Sequence, residues 1–198
     1  MNKTSANSNL KANSKENDDQ LIQATLGGNQ EAFGNLVRKY QDRLYNGMVQ
    51  VTRNPVEAED VVQEAFVLAF TKLSSFHGKS AFFTWLYRIA YNVAISRLRR
   101  KKPTVSLGSR DESNQLQLPS DAPPPEHGLQ QQEEAKQLMQ AMDALSEEHR
   151  TILVSREMDE LDYEAIGEIL DLPIGTVRSR LHRARLQLKE QLEKLIGR

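Results

Sequence analysis

Apolar residues return at three- and four-residue spacing along almost the whole chain from Gln20 onward, the periodicity of helices that bury one face. A short helix beginning at Gln20 is stopped by Gly27 and Gly28, and Asn29 stands where it would cap a longer helix from Gln30 to about Thr52. Phe33, Leu36, Val37, Tyr40, Leu44, Met48 and Val51 form its core stripe. Asn54, Pro55 and Glu57 supply an N-cap, a first-position proline and a third-position acid for a helix running to about Leu73. Val61, Val62, Ala65, Phe66, Leu68, Ala69, Phe70 and Leu73 wrap more than half of its circumference, a face wide enough to imply a second burial partner. After a turn-forming loop around Gly78, Ser80 is placed to cap a helix from Ala81 to about Arg100, with Phe82, Trp85, Leu86, Ile89, Val93 and Leu98 inward. The pattern resumes near Glu133, and Ser146 caps a further helix. Leu138, Met142, Leu145, Ile152, Leu153 and Met158 are its expected core.

Residues 162–185 resolve into two short helices joined by a tight turn, the signature of a helix-turn-helix. Asp162 is the N-cap, Leu161 and Ile166 occupy the hydrophobic-staple positions, and Gly167 leaves room for a crossing helix. Stepping about 100° per residue from Val177 puts Leu181, Ala184 and Leu188 on the buried side. Gly175, Ser179, His182, Arg183 and Leu186 fall on the opposite side, and Arg178, Arg180 and Arg185 on the flanks. A major groove about 12 Å wide admits one such helix, its outer face reading base edges while flanking guanidinium groups hold phosphates. From Asp171 to Arg198 there are seven Arg or Lys against three acids, which suits that role better than an ordinary solvated helix.

Composition then divides the chain. Only 38% of its 198 residues are hydrophobic, so two small cores fit better than one large one. The expected fold is all-α: a disordered tail at 1–19, helical domains at 20–102 and 133–198, and an extended linker at 103–132 that contains Pro123, Pro124 and Pro125. A net charge of -1 conceals segregation, because Ala81 to Arg110 holds no acid while Glu57 to Glu64 holds four acids and no base. The absence of cysteine excludes disulfides and thiolate zinc sites within this sequence. No cofactor and no metal are expected, since the four histidines lie far apart and none belongs to a metal-binding pair. No apolar run approaches the ~18 to 20 residues needed to span a membrane, and a cytoplasmic location is expected.

The helix from Ala81 carries a second stripe, Phe83, Tyr87 and Tyr91, beside Arg88, Asn92, Arg97, Arg99, Arg100, Lys101 and Lys102. Aromatic surface beside cationic surface suits unstacked bases and phosphates, and ordinary packing explains the stripe about as well.

The runs AEDVVQEAFVLAFTKLSSF, FHGKSAFFTWLYRIAYNVAISRLRRKKP and DYEAIGEILDLPIGTVRSRLHRAR together resemble the extracytoplasmic-function sigma factors of bacterial RNA polymerase, over about residues 20–102 and 133–195. The resemblance implies a non-enzymatic promoter-specificity subunit with three working surfaces. Gly175, Thr176, Arg178, Ser179, Arg180, His182 and Arg183 would bind the minus-thirty-five element as duplex. Phe76, His77, Gly78, Lys79, Ser80, Phe83, Trp85, Tyr87, Arg88 and Asn92 would capture a flipped minus-ten base and hold the opened strand. Asp60, Gln63, Glu64, Phe66 and Phe70 would dock the clamp helices of the largest polymerase subunits. The implied partners are core polymerase, promoter DNA in duplex and single-stranded form, and an anti-sigma factor. Asp171 stands where glycine is frequent in the family, and the loop tip His77-Gly78-Lys79 is basic where many relatives carry an acid. The rival expectation is an autonomous helix-turn-helix regulator, which accounts for the C-terminal half but leaves the basic aromatic helix unexplained.

Overall fold

A computed structural model describes residues 17–101 and 126–197, all helix and connecting turns. The expectations for residues 1–16 and 103–125 lie outside the described residues. Helix α1 covers residues 17–26, three residues earlier than the glycine-bounded segment suggested, because Asp18 has a buried place. Its carboxylate accepts from the Tyr40 hydroxyl and pairs with Lys39 Nζ at 2.6 Å, fastening α1 to the next helix. Gly28 takes φ 98°, a left-handed position open to glycine, and Asn29 N–H reaches back to the Ala24 carbonyl at 3.0 Å to close α1.

Helix α2, Gln30–Thr52, starts as the sequence indicates, with Asn29 Oδ1 accepting from the Glu31 and Ala32 amides. Arg53 adopts φ 57° and turns the chain at once into α3, Pro55–Thr71, where Asn54 Oδ1 accepts from Val56 and Glu57. A 3-10 turn at Leu73–Ser75 leads through a loop to α4, Phe82–Lys101. Ser80 does not cap α4: Ala81 takes the position before the helix, its carbonyl accepting from Trp85, and the Ser80 hydroxyl donates to Glu168 at 3.0 Å. Helices α2, α3 and α4 pack on one another around Leu36, Leu44, Met48, Val61, Leu86 and Tyr87.

Helix α5, Glu126–Asp143, begins inside the segment expected to be linker. Ser146 caps α6, Glu147–Leu153, through the His149 amide, and a π-helical turn at Val154–Met158 follows. Helices α7, Tyr163–Leu170, and α8, Ile174–Ile196, complete the chain. Leu145, Ile152 and Leu153 are buried as expected, but Leu138 and Met158 are exposed. Among the described residues one compact unit comprises α1–α4 with residues 164–172, and the other comprises α5, α6, the π turn and α8. Along the chain α7 and α8 remain the consecutive short-turn helices expected for residues 162–185.

Candidate nucleic-acid interface

The turn before α8 fixes the register of the whole helix. Asp171 adopts φ 54°, and Leu172 N–H donates to the Gly167 carbonyl at 2.9 Å, a Schellman closure with aspartate where glycine would be unstrained. The Pro173 carbonyl then accepts from Thr176 at 2.8 Å and Val177 at 3.0 Å, opening α8. Val177, Leu181 and Ala184 are thereby buried, while Gly175, Arg178, Ser179, His182 and Arg183 are exposed and Thr176 and Arg180 half-buried.

The two sides of α8 differ in how their cations are held. Arg180 pairs with Glu148 at 3.1 Å. Arg185 grips one Glu157 oxygen through Nε at 3.1 Å and Nη2 at 2.5 Å. That Glu157 hydrogen bond, opposed by partial desolvation, raises the Arg185 guanidinium pKa above its ordinary value. Among the described residues, His182 and Arg183 on the outer face make no ion pair, so their donors remain available for base edges.

Two residues outside the recognition helix join this surface. Arg156 lies 5.1 Å and Arg178 5.8 Å from the Tyr163 ring centroid, and Arg156 Nη1 is anchored on the Leu161 carbonyl at 2.7 Å. The Tyr163 phenol also lies within electrostatic reach of Arg185, so three guanidinium groups converge on one ring. The periodicity of α8 contains no trace of Arg156 or Tyr163, which lie outside that helix.

In the other unit the loop and α4 present a smaller surface than the sequence suggested. Phe83 and Tyr87 are interior, 4% and 0% exposed, and are not available for stacking with a base. The cause is that α4 packs against both α2 and α3: Phe83 meets Tyr40 at 5.4 Å and Tyr87 at 5.8 Å, and the Arg43 guanidinium closes over it at 4.0 Å. The remaining residues stay at the surface. His77, Lys79, Arg88 and Asn92 are exposed, and Phe76, Gly78, Ser80 and Trp85 half-buried. Phe76 and Trp85 approach to 5.2 Å and both touch Phe82, so an aromatic rim stands beside the basic loop tip. Gly78, at φ 65°, makes the bend between the exposed His77 and Lys79.

Helix α3 carries the third surface. Asp60, Gln63 and Glu64 are exposed, and Phe70 is 46% exposed. Phe66 is instead buried in an edge contact with Phe33 at 6.4 Å and belongs to the core. Its place is taken by Val56 and Val67, 70% and 66% exposed, which align with Asp60, Gln63 and Phe70 at helical spacing. Both valines fall outside the core face expected from the sequence of this helix, which assigned them no role. Arg97 of α4 spans to Asp60 at 3.2 Å and Glu64 at 2.6 Å, beside an open groove of ≈ 470 Å³ that also holds Lys72, Asn92, Ser96 and Arg100.

Residues 36–104 match Sigma-70 region 2, and residues 135–188 match Sigma-70, region 4. The chain is 39% identical to the ECF RNA polymerase sigma factor SigW of Bacillus subtilis, over 88% of this chain and 96% of that protein. It is 37% identical to the RNA polymerase sigma-H factor of Pseudomonas aeruginosa, over 92% and 97%. It is 36% identical to the ECF RNA polymerase sigma-E factor of Escherichia coli, over 91% and 97%. Among solved structures it resembles CnrH in complex with the cytosolic domain of CnrY, with TM-score 0.66, 23% identity and 90% and 98% of the two chains covered. It also resembles the sigma factor RpoE bound to the anti-sigma factor NepR from Bartonella quintana, with TM-score 0.63, 23% identity and 81% and 96% covered.

Proposed function

The chain belongs to the extracytoplasmic-function sigma factors of RNA polymerase, and we propose how its surfaces divide that family's work. It directs core polymerase to specific promoters for DNA-templated initiation. The observation that carries this is 36–39% identity to such factors over nearly the full length, with regions 2 and 4 in order on the two halves. An autonomous regulator is not favoured, because it would have no use for region 2 in the N-terminal half.

Upstream recognition is assigned to residues 133–198. Ser179, His182 and Arg183 read base edges of the minus-thirty-five duplex, Gly175 and Thr176 let the start of α8 approach the backbone, and Arg178 and Arg180 hold phosphates. Arg156 and Arg185, gathered with Arg178 around Tyr163, extend the phosphate-holding flank. Strand opening is assigned to residues 20–102. A base leaving the stack is received at the rim of Phe76 and Trp85, with His77, Gly78, Lys79 and Ser80 around it and Arg88 and Asn92 along the strand. Extrusion costs a few kcal/mol, and stacking worth about 1–3 kcal/mol per base offsets it. Phe82, buried and in contact with both rings, holds the rim in place from inside.

The polymerase docks on the stripe of Val56, Asp60, Gln63, Val67 and Phe70 with Glu64 at its edge, where two carboxylates and exposed apolar carbons lie on one face. The chain itself makes no bond; nucleotide addition belongs to the core enzyme. No described helix is long and apolar enough to cross a membrane, and the factor is assigned to the cytoplasm with its template. An anti-sigma factor that covers the polymerase-docking face is the regulatory partner this reading implies.

Run-off transcription with sigma-free core on a promoter library tests the assignment. Promoter-specific product is expected only when the protein is added. Tight duplex binding by the protein alone with no specific product would favour the regulator instead.

A further inference from the structure

We propose that Arg97 is an internal stand-in for a polymerase cation: it occupies Asp60 and Glu64 in the free factor and is released toward the DNA-facing groove when the core docks. The proposal rests on the sigma-factor reading and adds to it a link between docking and strand opening.

The geometry makes the exchange possible. The guanidinium donates through Nε at 3.1 Å and Nη2 at 2.6 Å to one Glu64 oxygen, and through Nη1 at 3.2 Å to Asp60. Both acids lie on α3, on the same exposed side as the apolar residues assigned to docking, whereas Arg97 lies on α4, the helix assigned to the opened strand. The three side chains are 32%, 58% and 45% exposed for Arg97, Asp60 and Glu64, so a second cation can approach without unfolding anything. An ion pair this wet contributes little stability and exchanges partners readily.

Arg97 and Glu64 both line the groove that holds Lys72, Asn92, Ser96 and Arg100. Once a polymerase cation neutralises Glu64, Lys72, Arg100 and the freed Arg97 bring three cations to one groove, a fitting seat for a strand phosphate. A polymerase Arg or Lys arriving at Asp60 and Glu64 keeps those acids paired, and the strand phosphate keeps Arg97 paired. No charge is left uncompensated at the end, although both partners have changed.

The sign of one mutation separates this from a merely structural bridge. Arg97→Gln removes the competitor, so core polymerase should bind the factor about two- to fivefold more tightly at low salt. Opened-thymine reactivity on the saturated complex should fall. In an Asp60→Asn, Glu64→Gln background, the same change should leave core affinity unmoved. Arg97→Lys, which keeps the charge and loses the fork, should give a smaller gain than Gln. The readout is titration of fluorescent core at two salt concentrations, with circular dichroism confirming that each variant is folded. Weaker or unchanged core binding by folded Arg97→Gln overturns the exchange. Absence of any binding by the unaltered protein would instead overturn the sigma-factor reading.

Discussion

Helices α4 and α8 are near equals on paper, 20 and 23 residues long, both rich in arginine and both placed by sequence against DNA. Their surroundings make them different. Only one stripe of α8 is buried, Val177, Leu181 and Ala184, and its reading face stays in solvent. Helix α4 packs against both α2 and α3, so Phe83 and Tyr87 of the aromatic stripe are absorbed into the core and Tyr91 is left half-buried. A stripe of aromatic or cationic residues thus acquires its meaning from the number of helices packed around it, which periodicity along one helix does not report.

The contrast predicts effects of different kind as well as size. Tyr87→Ala removes a fully buried ring and should lower unfolding free energy by about 3–5 kcal/mol, measured by urea denaturation. A loss below about 1 kcal/mol would return Tyr87 to the surface and break the comparison. Arg183→Ala on the other helix should leave stability within about 0.5 kcal/mol. It should cost about 1–3 kcal/mol of discrimination between the preferred minus-thirty-five duplex and its base-substituted variants.

Smaller changes sharpen the account of the α8 flank. Arg156→Ala should weaken promoter and scrambled duplex alike and reduce the slope of log affinity against log salt by about one, the mark of a lost phosphate contact. A change in sequence preference instead would make Arg156 a base reader. Asp171→Gly should raise stability by up to about 1 kcal/mol in the same urea assay, because glycine takes the φ of 54° without strain. Destabilisation would mean that the aspartate side chain supports the turn.

What the sequence disclosed follows from the same physics. Caps at Asn29, Asn54 and Ser146 depend on local hydrogen bonds, and they appear where the residue types put them. The α8 reading face was legible for a similar reason: one buried stripe fixes where every other residue points. Phe66 and Phe83 were misplaced because their burial depends on partners far away in the chain, Phe33, Tyr40 and Arg43, and Tyr87 is buried with them against Phe83. Arg97 was read only as basic charge, since its acids on α3 are 33 and 37 residues distant. Helix α5 began early for want of any breaker between Glu126 and Glu133 other than the tolerable Gly128.

The central claim is that recognition and opening are performed by separate surfaces, and one measurement addresses it directly. Upstream nuclease protection and permanganate reactivity of opened thymines are read in the same polymerase complexes carrying Arg183→Ala or Trp85→Ala. Arg183→Ala should lose upstream protection and open normally once occupancy is restored by higher concentration. Trp85→Ala should keep its protection and lose thymine reactivity. Equal loss of both signals in both variants, at matched occupancy, would contradict the division.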